Sequence, residues 1–106
     1  MNTVVSLFER CARERFLGTR YRALSLRDEL ERLLAEHKEI VLDFTDVEAT
    51  QSFIDELIGV LVLQRGPEIV ERLVFRSCSE DMQAIINFVL SARTERYISF
   101  HVALRH

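Results

Sequence analysis

EIVLDFTDVEATQSFIDELIGVLVLQ, residues 39–64, joins three unlike pieces. Its first six residues, EIVLDF, are a short apolar run of the kind that forms a buried strand. TDVEAT, 45–50, is polar and reads as a connection. Residues 52–65 are too long and too apolar for a strand, and Gly66 and Pro67 stop them, so a helix is expected. Phe53, Ile54, Leu57, Ile58, Val60, Leu61, Val62 and Leu63 cover more than one stripe of it. A helix apolar on most sides is buried on both. Either it is wedged between a sheet and a neighbouring helix, or its second face meets another protein. Gly59 costs about 1 kcal/mol relative to alanine inside a helix, and its expected use is to let another backbone approach.

Outward from this stretch the pattern repeats. Upstream, TVVSLF (3–8) is β-prone and reads as an edge strand, and 9–19 as an Arg-rich loop ending near Gly18. From Arg20 to His37, Leu24, Leu26, Leu30, Leu33 and Leu34 recur mostly at helical spacing. Ser25 with Asp28 offers an alternative, later helix start. Downstream, ERLVFRS (71–77) reads as a second core strand. Ser79 is placed to cap EDMQAIINFVLSAR, with acids in its first turn and Arg93 near its end. YISFHVAL (97–104) alternates, as a half-exposed strand does. Strands alternating with helices imply an α/β domain: a mixed, mostly parallel sheet of about four strands with three or so helices. Its functional edge lies beyond the carboxyl ends of the strands, where 45–52 falls.

Size and composition suit a single domain over 1–106. The chain is 48% hydrophobic and 29% charged, with one Pro and three Gly. No apolar leader or membrane-length run is present, and Cys11 and Cys78 have neither disulfide-framework nor metal spacing. A cytoplasmic protein is expected. His37, His101 and His106 are scattered, so neither metal nor cofactor is expected. The net charge of −3 is unevenly spread: 10–27 carries Arg10, Arg13, Arg15, Arg20, Arg22 and Arg27 against Glu14, whereas 39–56 carries six acids and no base. This asymmetry either steers partners or pairs internally.

Enzymatic chemistry finds little support. Asp55 and Glu56 are adjacent, so on a helix they diverge and make a poor acid/base dyad. No nucleophile elbow, phosphate loop or metal set is present. Cys11 among arginines reads as incidental and Cys78 as a small buried hydrophobe. A protein-interaction surface is the better expectation, formed by the 45–59 loop and helix start with Asp46, Thr50, Ser52, Asp55, Glu56 and Gly59. Arg20 either pairs with Asp55 or Glu56 or touches the same partner. Reversing either acid is expected to weaken partner binding with little change in the unfolding midpoint. Thr50 or Ser52 caps the helix. A phosphate at this start would add nearly two charges beside Asp55 and Glu56, and repulsion from the partner would act as a switch. Two other readings remain. CARERFLGTRYR, with Phe16 and Tyr21 among arginines, suits single-stranded nucleic acid, against the chain's overall acidity. The apolar second helix and the alternating C-terminal segment suit a homodimer.

VVSLF, GTRYRA, a charged helix, VLDFTDVEATQSFIDELIG and LVFRSCSEDMQAIINFVL, in this order, resemble the STAS-like family of unknown function, which is related to STAS domains including bacterial anti-sigma factor antagonists. The resemblance covers almost the whole chain. It implies a signalling module whose partner is a histidine-kinase-like ATPase or anti-sigma factor. In the antagonists the matching turn carries a serine that the partner ATPase phosphorylates, which places Ser52 at the phospho-acceptor position. The sequence departs from that pattern in two ways: Gln51 stands where the antagonists have an acid, and bulky Phe53 and Ile54 follow where they have small residues and Gly.

Overall fold

The computed structural model describes residues 2–104; His106 lies outside them. Three parallel strands, β1 (Asn2–Ser6), β3 (Glu39–Asp43) and β5 (Leu73–Arg76), form a sheet in the order β1-β3-β5. Ile40 and Leu42 of β3 are fully buried, as a central strand requires. Register runs Ile40 to Thr3 on one side and Ile40 to Leu73 on the other. Parallel neighbours need crossovers. The first contains α1 (Leu7–Arg10), β2 (Phe16–Leu17) and α2 (Arg20–Glu36). The second contains β4 (Glu48–Ala49) and the helix begun in the opening stretch.

That helix runs from Gln51 to Arg65 in three parts: α3 (Gln51–Ile54), a π turn (Asp55–Gly59) and α4 (Val60–Arg65). Phe53, Ile54, Leu57, Ile58, Leu61 and Val62 are completely buried. Each contributes roughly 1.5–3 kcal/mol of transfer free energy. The helix packs between α2 and α5 (Glu80–Leu104), so its two apolar stripes are covered within the chain. Gly66, at φ +97°, ends it where L side chains rarely go, and a 3₁₀ segment, Pro67–Arg72, leads into β5.

Three expectations need correction. YISFHVAL is not a strand, because α5 continues through it to Leu104. Its alternation is strand-like, but no Gly or Pro interrupts the chain after Ser79, and Val89, Arg93 and Tyr97 carry the inward stripe of the helix forward at four-residue spacing. The 3–8 run stops being a strand after Ser6, because Ser6 Oγ accepts the Glu9 N–H at 3.2 Å and turns Leu7 into α1. The 9–19 segment is not one loop: it holds the end of α1 and β2, which pairs in parallel with β4. Within it Cys11 is buried against the core, and burial raises its thiol pKa. Cys78 is partly buried against the core, with its thiol pKa raised likewise.

Candidate functional site

The connection after β3 is built from side chain to backbone. The Asp43 carboxylate accepts the Thr45 hydroxyl at 2.6 Å and the Thr45 N–H at 3.0 Å, and Arg76 adds a bond at 3.1 Å. These bonds, the Thr45 hydroxyl first, hold Asp43 below the usual carboxylate pKa. Asp46 takes a left-handed φ of +61°, which a short Asx side chain tolerates. The chain then joins the β2–β4 ladder through Glu48 N–H to Arg15 O at 2.8 Å and Thr50 N–H to Leu17 O at 2.9 Å.

Thr50 is the cap. Its Oγ1 accepts the Phe53 N–H at 3.1 Å and donates to the Gly18 carbonyl at 2.9 Å. Ser52 therefore has no capping duty: it lies exposed in the first helical turn beside exposed Gln51. The Phe16 ring and the Thr50 methyl both border Gly18, within 4 Å of where a Cβ there would stand. Phe16 is 64% exposed, and Tyr21, one residue past Arg20, is 81% exposed.

One turn further along the helix the character changes. Asp55 is only 8% exposed. Arg93 grips it with two bonds, Nε to Oδ1 at 2.7 Å and Nη2 to Oδ2 at 2.6 Å, and Arg20 Nη1 reaches Oδ2 at 2.8 Å. The Arg93 bonds pull the Asp55 pKa down against the opposing effect of burial, with Arg20 adding to the pull. Arg93 is raised in turn by Asp55. Arg27 bonds the Glu56 carboxylate and its carbonyl, and Arg20 lies 3.7 Å from Glu56 Oε1. Two acids on the central helix are thus held by arginines from α2 and α5. Gly59 supplies the room. A Cβ there would overlap the Asp55 carboxylate and stand 2.9 Å from Val89 Cγ1, so the group that approaches Gly59 is α5 with its Asp55 clamp.

The residues singled out from sequence therefore separate into two groups. Arg20, Asp55, Glu56 and Gly59 come together in an inner clamp, with Asp55 and Gly59 buried. Ser52 and Asp46 are exposed and Thr50 is half-buried at the rim. Phe16 meets Thr50 around Gly18, and exposed Tyr21 follows Arg20 at the start of α2, although in the sequence the two aromatics point only to nucleic acid. Arg93 as the principal partner of Asp55 is 38 residues away and has no local sequence signal. Among the described residues, no cluster of three or more His, Cys, Asp or Glu is placed to hold a metal, and no helix is long and apolar enough to cross a membrane.

A parallel α/β sheet with a capped helix start beyond β3 fits a STAS-like class of domain. The family model described as the STAS-like domain of unknown function (DUF4325) matches residues 23–83, more than half of the chain, and the chain belongs to that family. The matched segment runs from α2 to the start of α5; it contains Asp55, Glu56 and Arg27 and leaves Arg20 and Arg93 outside. No curated protein and no solved structure matches the chain.

Proposed function

We propose that this chain is a non-enzymatic regulatory interaction module whose contact surface is the rim around Ser52. The observation that carries the proposal is the division of labour at the helix start: Thr50 takes the capping role, which leaves the Ser52 hydroxyl exposed. Gln51, Phe16 and Tyr21 extend the surface, and exposed aromatics are common anchors for partners. The partner is a protein of the histidine-kinase-like ATPase or anti-sigma type, met in the cytoplasm. ATP supplies the phosphoryl group, and the Ser52 oxygen takes it with release of ADP and a proton. A phosphate there carries about −1.5 to −2 charges at neutral pH. Asp55 and Glu56 are already matched by Arg20, Arg27 and Arg93, so the added charge acts on the partner.

Nucleic-acid binding has less support. Each arginine of 10–27 lies within 4 Å of a carboxylate: Arg10 with Glu29, Arg13 with Glu9, Arg15 with Asp46, Arg20 with Asp55, Arg22 with Glu14 and Arg27 with Glu56. Three of these pairs, Arg15–Asp46, Arg20–Asp55 and Arg27–Glu56, join the basic segment to the acidic one.

The test is phosphopeptide mapping of the protein from its native cells, with Ser52→Ala and Tyr21→Ala variants used to capture partners. The expected result is a phosphate at Ser52 and a partner lost from Tyr21→Ala. An unmodified, fully covered 45–65 peptide under several growth conditions refutes the switch. An unchanged set of partners for both variants refutes the surface.

A further inference from the structure

Beyond Arg93, α5 has no task in the rim or the clamp. Its last fastening to the body is Tyr97, whose hydroxyl lies 3.1 Å from where a Cβ on Gly66 would stand. Beyond that, residues 98–104 run on for about 10 Å as helix. Ile98, Phe100 and Val102 are 52%, 60% and 48% exposed there. Three large apolar side chains in five residues, pointing to more than one side, call for cover.

An open, mainly apolar groove of about 520 Å³ begins on the same helix. Pro67 and Val70 of the 3₁₀ segment form one wall, and Leu90, Thr94 and Ile98 of α5 form the other. Leu90, Ser91, Thr94, Ile98 and Val102 lie along one stripe at helical spacing. The stripe contains no charged residue, and Glu95 stands at its border. The groove occupies its first half and the uncovered ridge its second, about 12 Å further along.

We propose that this stripe is a self-association surface, and that its occupant is the α5 of a second copy packed antiparallel. A two-fold axis near residue 97 lays the Ile98–Val102 ridge of each copy in the groove of the other. The contact is isologous and closes on itself, so it yields a dimer and not a filament. Charge favours this occupant. Each copy presents the same uncharged stripe, so neither loses an ion's hydration without compensation. Glu95 falls opposite Ser99 of the other copy, and that hydroxyl can donate to it. Two helices meeting over about four turns bury less than a standard interface, so the dimer is weak and concentration-dependent.

The test is light scattering of the intact chain over a concentration series, since a contact below standard size associates only weakly. The mass is expected to rise from 12.4 kDa towards twice that value. The double variant Ile98→Glu, Val102→Glu should stay at 12.4 kDa throughout, with an unchanged thermal midpoint because both side chains are exposed. Phe100→Glu, on the other side of the helix, should still associate. A wild-type mass fixed at 12.4 kDa overturns the proposal and leaves the ridge to a different protein. Association that survives the double variant, or that Phe100→Glu abolishes equally, overturns it too.

Discussion

Gly59→Ala sets two physical effects against each other. Helix propensity favours the change: alanine in a helix interior is better than glycine by about 1 kcal/mol. The surroundings oppose it. The new methyl would overlap the Asp55 carboxylate and press on Val89 Cγ1 at 2.9 Å and Arg93 Cγ at 3.2 Å. Forcing an extra carbon into a packed site costs about 1–3 kcal/mol. Displacing the carboxylate also disturbs the charge-assisted bonds from Arg93, worth about 1.5–3 kcal/mol in such settings. The net expectation is a loss of about 2 kcal/mol, or a fall of about 10 °C in thermal midpoint for a domain of this size. Urea and thermal unfolding followed by circular dichroism measure it. A double-mutant cycle locates the cause. In the Gly59→Ala background Asp55→Ala should cost clearly less than in the wild type, because the clash and the clamp share that carboxylate. An alanine variant as stable as the wild type, or strictly additive losses, would refute the account of Gly59.

Two further outcomes follow from the same geometry. Asp55 has a folded-state pKa below its unfolded value, so its contribution to stability is complete above the ordinary carboxylate pKa of about 3.9 and is lost as pH falls from there through the folded pKa. Asp55→Asn should therefore flatten the acid limb of a stability-versus-pH curve measured by urea titration between about pH 2 and 5; an unchanged acid limb would remove Asp55 as its cause. Thr50→Ala should destabilise by about 1–2 kcal/mol, since it removes both the cap and the bond to Gly18, whereas exposed Ser52→Ala should stay within about 0.5 kcal/mol. Equal losses in urea unfolding would show that the two hydroxyls share the capping role.

Much of this domain is legible in short windows. EIVLDF announces β3, Gly66 and Pro67 end the central helix, Ser79 accepts the Met82 N–H at 3.1 Å as a cap should, and Thr50 is one of two caps the sequence offers. Two of the failures turn on information that is not local, and one on a local cap hidden in a β-prone run. YISFHVAL has the alternation of a strand, but no strand among the described residues pairs with it, and the uninterrupted helix before it prevails. Leu7 and Phe8 extend a β-prone run until one hydroxyl, Ser6, turns the chain. The opening stretch shows Asp55 and Gly59 one turn apart, but Arg93 enters only through the packing of α5.

That packing also changes what the acid pair is for. In the sequence Asp55 and Glu56 look like displayed charges whose reversal would weaken binding and spare the fold. In the structure they are the junction of three helices, with three arginines converging on them. Asp55→Lys would set a third cation against Arg20 and Arg93 in a site with little water to screen it, so the fold itself should suffer. The charges that secure the module lie beneath the surface proposed to meet a partner. Substitutions at Asp55, Glu56 or Gly59 therefore report on stability, and those at Ser52, Gln51, Phe16 or Tyr21 test the proposed recognition surface. Ser52 lies about one helical turn before Asp55 and Glu56, so the proposed phosphate would alter the rim while the clamp keeps the helix in place.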